Sequence, residues 1–200
     1  PEAAAALAFL LRTRAPGGIS PEGVGAYKEE ETRHLFQSGR AVFLRSWPYV
    51  WSLSQREGSA VAGKVGVLPV PTLSGAPGAG TLGGWGLAVA RSSRHPREAL
   101  EFLRHATSLE SQRAFCEPTG FAPARKDAWR DPALLAANPF LADLERVHAS
   151  AAPRPVLARY AQASDILQRH LTAALAGLAP PREALAAAAR ETRIVLGEAP

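Results

Sequence analysis

Residues 36–51 read FQSGRAVFLRSWPYVW, and this stretch sets the pattern for the chain around it. The apolar run AVFL at 41–44 predicts a short β-strand. Three aromatic residues in the next seven positions, Trp47, Tyr49 and Trp51, surround Pro48, which stiffens a turn. The stretch therefore predicts aromatic side chains just past the end of a strand.

Two more short strands are predicted on the C-terminal side of this stretch. One lies at 65–71 and must end at its prolines, and the other lies at 85–90. A loop rich in glycine, proline and serine, residues 72–83, separates them. Helices are predicted at 2–14 and 27–37, the second with an acidic first turn.

Helix signals also fill the second half of the chain. Pro96 suits a first helical turn, and an apolar face follows at Ala99, Phe102, Leu103 and Ala106. A capping-box spacing from Thr107 to Glu110 predicts a helix that ends at 117–120. Ser164 is a predicted N-cap and Pro181 opens the last helix. The chain is thus predicted to be mostly helical with a few separated strands.

Composition excludes several classes of protein. The chain has 200 residues, of which 46% are hydrophobic and 20% charged, as in ordinary globular domains. Its net charge is +5, but the arginines are scattered and most have an acid nearby, so no basic stripe for nucleic acid is predicted. No apolar run approaches the ~18 residues of a membrane span. There is no methionine and the chain starts at Pro1, so we expect a processed chain or a piece of a longer one.

The sequence offers no motif for catalysis, a cofactor or a metal. The segment 78–83 matches G-x-G-x-x-G, but a proline-rich loop precedes it and a strand is predicted after it, whereas a dinucleotide site needs a helix there. No two histidines have helical metal-ligand spacing, and His170 is interpreted as a packing residue. The lone Cys116 excludes an internal disulfide and is expected to be an inert thiol.

A second aromatic segment points to a ligand. In Gly83-Gly84-Trp85-Gly86, three glycines leave the indole uncovered and let backbone approach another surface closely. A sugar ring has an apolar face that stacks on such aromatic groups, and its hydroxyls need polar partners at the edge. Arg154, between two prolines, is a candidate for a rigid guanidinium partner. The alternative is that these aromatic residues pack in the core or in turns.

Taken in order, the segments resemble the extracellular solute-binding proteins of carbohydrate ABC importers, of the maltose/trehalose-binding type. The matching pieces are FQSGRAVF at 36–43, WPY at 47–49, GKVGVLP at 63–69, GGWGLAV at 83–89, EALEFL at 98–103, TSLESQ at 107–112, Arg154-Pro155 with Tyr160, and ALAG at 174–177.

This resemblance implies an α/β, two-lobed fold of the periplasmic-binding-protein type II, which closes on its ligand by a hinge motion. The chain would be its C-terminal half. Residues 1–71 would belong to the second lobe, residues 72–122 to the first lobe after a hinge crossing, and residues 123–200 to the C-terminal helices of the second lobe.

The resemblance also implies a ligand site and partners. Trp47 and Tyr49 would stack on sugar from the second lobe, Gly84 and Trp85 would meet it from the first, and Arg154 would bind its hydroxyls. The expected function is non-catalytic capture of a di- or oligosaccharide, such as maltose or trehalose, without a cofactor. The expected partners are the sugar and the permease subunits, with no nucleic acid. The complete protein is expected to be an extracytoplasmic monomer, either periplasmic or lipid-anchored.

Other functions stay open at this stage. The same segments are compatible with a binding protein for a polyol or a glycerol phosphate. The Ala/Leu-rich helices fit a helical interaction or scaffolding domain whose aromatic residues are core. A carbohydrate-active enzyme needs two suitably spaced carboxylates, and the sequence nominates no such pair.

Overall fold

A computed structural model describes residues 2–21, 23–72, 76 and 78–197. The α-helices in these ranges are α1 Glu2–Arg14, α2 Glu29–Gln37, α3 Tyr49–Ser54, α4 Pro96–Ala106, α5 Leu109–Thr119, α6 Pro132–Ala137, α7 Leu141–Ala149, α8 Tyr160–Leu175 and α9 Pro181–Leu196. Short 3-10 helices occur at Val24–Ala26 and Ala128–Arg130. None of the described helices combines the length and the apolar character that a membrane-spanning segment requires.

The chain divides into two compact units. Unit 1 consists of Pro1–Lys28 and Pro155–Pro200, and unit 2 consists of Glu29–Arg154. In unit 1, Leu7 of α1 packs with Ala174 of α8 and Ala184 of α9 in a small buried cluster. The lobe boundaries expected from the sequence, at residues 71 and 122, stay a prediction.

Most helix predictions are confirmed, with three corrections. The helix predicted at 27–37 begins at Glu29. The cap of α5 is Ser108 rather than Thr107, because its side chain accepts the backbone N–H of Ser111. Ser164 caps nothing, because α8 already begins at Tyr160. Each error is a shift of a few residues, where several polar residues compete for the same cap position.

The three predicted strands are wrong as sheet elements. In the described residues, segments 41–44, 65–71 and 85–90 form no ladder, and the pairings present are two isolated bridges, Val70 with Gly78 and Thr81 with Ala152. A β-strand needs a neighbouring strand to pair with, and the described chain places none beside these segments. Residues 65–70 still alternate between half-buried and exposed, which is the period of a strand.

The core of unit 2 lies under α3, α5, α6 and α7. Its buried members are Cys116, Ala128, Leu134, Phe140, Leu141 and Leu144. Trp51 of α3 stacks on Phe140 with ring centroids 4.6 Å apart. At the end of α5, Gly120 has a φ of 68° and contacts the Ser52 side chain so closely that a Cβ would collide with it. This glycine joins α5 to α3 and is required both by the backbone conformation and by the contact.

One side chain connects α5 to α6. The Asp131 carboxylate accepts the backbone N–H groups of Ala133 and Leu134, each at 3.1 Å, and so caps α6. Its other oxygen accepts the Arg113 Nε–H at 2.8 Å. The Arg113 guanidinium, and to a lesser degree the backbone donors, hold the pKa of this carboxyl below its ordinary value.

We predict that the Asp131→Asn variant keeps the cap of α6 but loses the ion pair with Arg113, so that it separates these two contributions to stability. Asparagine caps a helix about as well as aspartate but forms no ion pair. Since the folded-state pKa is lowered, the ion pair stabilises above the unfolded-state pKa of about 3.9, and its contribution is lost as the pH falls through the lower folded-state value. At pH 7 the wild-type protein should unfold at a higher urea concentration than the variant. This difference between the two urea midpoints should shrink below pH ~4. The exposed Asp143→Asn control should change little, and a pH-independent gap would contradict this prediction.

We also predict that the isolated chain self-associates through the segments that lack a ladder. Phe43 and Leu68 are 88% and 80% exposed, respectively, and such apolar surface favours association. Light scattering should show an average mass that rises with concentration. The rise should weaken in a Phe43→Ser/Leu68→Ser variant but not in the Ile19→Ser control of unit 1. A concentration-independent monomeric mass for wild type would contradict the prediction.

Candidate functional site

The aromatic turn predicted from the sequence is the entry to a helix. Pro48 occupies the N-cap position of α3, so that Trp47 precedes the helix and Tyr49 is its first residue. The fixed φ of proline suits this position and defines where the two aromatic side chains leave the backbone. Both lie in unit 2, as do Gly84, Trp85 and Arg154.

Trp47 lies across the backbone of the glycine segment. A Cβ placed on Gly83 would lie 2.7 Å from Cη2 of the indole, so that only glycine allows this approach. The indole Nε1–H donates to Oε1 of Glu29 at 2.6 Å. The side chain is nevertheless 41% exposed. The ring is thus held at one edge by a hydrogen bond and remains open to solvent elsewhere.

Tyr49 is held in a similar way. Its hydroxyl donates to Oε1 of Glu30 at 2.7 Å, and its ring stacks on Phe121 with centroids 5.6 Å apart. Burial first, and then the Glu30 carboxylate, raise the pKa of the Tyr49 hydroxyl above its ordinary value. Hydrogen bonds from Arg33, and then from Tyr49, lower the pKa of the Glu30 carboxyl. Tyr49 therefore remains a hydrogen-bond donor at neutral pH.

Two of the four tryptophans pack against the core, as the alternative interpretation of the aromatic residues predicted. Trp51 stacks on Phe140, and its indole N–H donates to the carbonyl of Val65 at 3.2 Å. Trp129 packs against the same buried cluster and lies beside His148. Trp85, by contrast, is 98% exposed. The exposed tryptophans are the two that the sequence nominated as ligand contacts.

A parallel bridge brings the Arg154 segment to the glycine segment. The Leu82 N–H donates to the carbonyl of Ala152, and the Ala152 N–H donates to the carbonyl of Gly80, both at 2.8 Å. Arg154 is exposed two residues beyond Ala152, and Trp85 lies three residues beyond Leu82. Since Trp47 contacts Gly83 on this same segment, the predicted site residues come from neighbouring pieces of unit 2.

Sequence reasoning missed Glu29 and Glu30. They are the first residues of α2, where acidic side chains are common because they complement the helix dipole, and so they attracted no functional interpretation. Their partners lie 18 and 19 positions away, and no local spacing rule covers such a distance. The only signal in the sequence was that two adjacent acidic residues, Glu29 and Glu30, precede two aromatic residues, Trp47 and Tyr49, that are spaced two positions apart.

The excluded chemistries have no support in the described residues. These contain no group of three or more His, Cys, Asp or Glu side chains arranged to hold a metal ion. After Gly83 the backbone runs on to residue 90 without a helix, so that the glycine motif lacks the helix N-terminus a dinucleotide needs. Cys116 is buried, and burial raises the pKa of its thiol. His170 is partly buried and bonded to Glu191 at 2.8 Å, as a packing residue would be.

Comparison with known proteins places these features in a family. A model of the bacterial extracellular solute-binding proteins matches residues 1–142. A probable ABC transporter-binding protein of Deinococcus radiodurans is 36% identical over 172 residues, which cover 84% of this chain and 41% of that protein. The solved structure of maltose-bound MalE3 of T. maritima is similar with a TM-score of 0.91 and 40% identity, over 98% of this chain and 51% of that chain.

The chain spans about half the length of these relatives or less. The structural likeness confirms the predicted fold class, in which this chain is mostly helical and almost devoid of strands over the described residues. The fold type is therefore recognisable from this likeness, although the described residues form no β-ladder.

We predict that Gly83→Ala displaces the Trp47 indole. The new methyl group would overlap the far edge of the ring, which would have to shift. Because the ring is 41% exposed, we expect this shift to change its orientation more than the stability of the protein. Near-ultraviolet circular dichroism and fluorescence should report the change, and the difference from Trp47→Phe assigns the signal. At Gly86 a Cβ would meet nothing within 4 Å, so Gly86→Ala is the matched control. Identical spectra for the two variants would contradict the contact.

Proposed function

Because the chain belongs to the bacterial extracellular solute-binding proteins, we propose that it forms part of the sugar-capturing component of an ABC importer. The single observation that carries this proposal is the pair of exposed indoles, Trp47 and Trp85, the first of which lies against the backbone of Gly83, two residues before the second. Contiguous exposed apolar surface marks a binding site more often than a single exposed side chain does, and Trp47 lies against Gly83, two positions from Trp85.

The chemistry of this surface suits a sugar. Indole and phenol rings offer flat apolar faces for the C–H face of a pyranose, while their polar edges are engaged elsewhere. The glycine segment allows close backbone approach on one side. Arg154 supplies donors in a fixed fork that suits vicinal hydroxyls. Trp47, Tyr49, Gly84, Trp85 and Arg154 are therefore proposed as the ligand contacts that this chain contributes.

The charges beside the aromatic rings favour a neutral ligand. The Glu29 and Glu30 carboxylates lie within 2.7 Å of the polar edges of Trp47 and Tyr49. A phosphate placed on these rings would meet two like charges, whereas the hydroxyls of a neutral sugar would not. This supports a di- or oligosaccharide of the maltose or trehalose kind over a glycerol phosphate, for which Arg154 would have to act as an anion clamp. The maltose in the similar T. maritima structure supports the same choice.

The remaining features of the proposal follow from the family. The bound sugar would lie between two lobes, with part of its contacts supplied by regions of the family fold that this chain does not span. The closed form would deliver the sugar to membrane permease subunits outside the cytoplasm. The family consists of solute-binding proteins, which agrees with the prediction of a non-catalytic role. Family membership argues equally against the helical scaffolding alternative.

We predict that Trp85→Ala and Trp47→Ala each weaken maltose binding by the full-length protein at least tenfold, because each removes a stacking face. Calorimetric titration measures this directly, first with maltose and then with trehalose, a polyol and glycerol phosphate. The control is Ile19→Ala, which removes an exposed apolar side chain from unit 1 and should bind like wild type. Unchanged affinity in both tryptophan variants would contradict the site. Binding of glycerol phosphate alone would contradict the choice of a neutral ligand.

A further inference from the structure

Helix α2 is attached to the aromatic turn by two consecutive carboxylates. Glu29 accepts the indole N–H of Trp47 at 2.6 Å, and Glu30 accepts the hydroxyl of Tyr49 at 2.7 Å. Both distances are at the short end for hydrogen bonds to an ionised acceptor, which are stronger than neutral ones. The two acids are adjacent in sequence and their partners are two residues apart, so one helical turn holds both rings.

Further hydrogen bonds hold helix α2 in place. The second oxygen of Glu30 accepts the Arg33 Nε–H at 2.9 Å. At the other end of α2, the amide of Gln37 donates to the carbonyl of Leu53 in α3 at 2.7 Å. Helix α2 is thus connected to the Trp47–Leu53 segment near both of its ends.

The contact is polar in character. No described residue of α2 is fully buried, and the half-buried Leu35 and Phe36 lie near its C-terminal end. At its N-terminal end, the exposed Glu29 and Glu30 attach the helix to the aromatic turn through hydrogen bonds. The carboxylates bind only the polar edges of the rings, and they leave the face of Trp47 in part exposed to solvent. An exposed aromatic ring without such a bond samples several rotamers, and ligand binding must then select one of them at a cost in affinity.

We propose that Glu29 and Glu30 are positioning residues that fix the orientation of Trp47 and Tyr49 before ligand arrives. The part of this proposal that concerns affinity rests on the sugar-binding function proposed above, whereas the part that concerns ring orientation does not. The two carboxylates form a clamp, defined by Glu29 on Trp47 and Glu30 on Tyr49. The clamp prepares the stacking surface, and neither carboxylate needs to contact the ligand.

The first test uses the full-length protein without ligand. Glu29→Ala should change the near-ultraviolet circular dichroism and the acrylamide quenching of Trp47, assigned by subtraction of a Trp47→Phe background. Glu30→Ala should shift the ultraviolet titration of Tyr49 to lower pH, because the removed negative charge no longer opposes ionisation; Tyr49→Phe assigns that signal. A role limited to the stability of α2 would lower the melting temperature without altering the Trp47 signal.

The second test measures affinity with maltose as the probe. Glu29→Ala should weaken binding about tenfold through the loss of ring orientation. Glu29→Gln, whose amide oxygen still accepts the indole N–H, should bind within about threefold of wild type. Glu57→Ala, which removes an exposed carboxylate elsewhere in unit 2, should match wild type in every signal.

The outcomes separate the two proposals. Unchanged Trp47 and Tyr49 signals in the alanine variants would overturn the clamp, whether or not maltose binds. Altered signals with no maltose binding by wild type would support the clamp while overturning the sugar ligand. Altered signals together with undiminished maltose affinity would overturn the positioning role. Weakened binding in Glu29→Ala with rescue in Glu29→Gln would support both.

Discussion

The position of Trp51 is the constraint on which unit 2 depends. Its ring stacks on Phe140 in the buried cluster, and its N–H holds the carbonyl of Val65. One side chain therefore fixes α3 to the helical core and also fixes the start of a segment that has no ladder to hold it. Trp47 and Tyr49 flank the N-cap of that same helix. The geometry of the exposed aromatic surface therefore depends on the buried contact between Trp51 and Phe140.

The surface is assembled from polar and steric contacts at the rings of Trp47 and Tyr49. Carboxylates accept the N–H of Trp47 and the hydroxyl of Tyr49, the indole lies against the backbone of Gly83, and the Tyr49 ring stacks on Phe121. A parallel bridge brings the chain that leads to Arg154 to the glycine segment. The protein thus binds the polar edges of both rings and covers one face of Tyr49, while Trp47 stays 41% exposed. This arrangement suits the ligand proposed above, which has an apolar face and a polar rim.

Local sequence determines the helices well and the pairing of strands poorly. Pro96, Pro181 and the glycine at 120 mark helix ends where the structure has them, because caps and φ angles are local properties. The apolar runs at 41–44 and 65–71 have strand-like composition, but a ladder depends on a partner, which no window of the sequence contains. The exposure of Trp47 and Trp85 was predictable from the neighbouring proline and glycine residues. The contacts of Glu29 and Glu30 were not predictable, because their partners lie 18 and 19 positions away in the chain.

The absence of buried side chains among the described residues of α2 has a consequence for its dynamics. A helix without fully buried side chains opens by local unfolding at a lower free energy than the core helices, and its amide protons exchange accordingly faster. If α2 holds the aromatic rings, then every local opening of α2 also releases them. The lifetime of the organised surface is then set by the stability of α2, and occupancy of the surface should slow amide exchange along Glu29–Gln37.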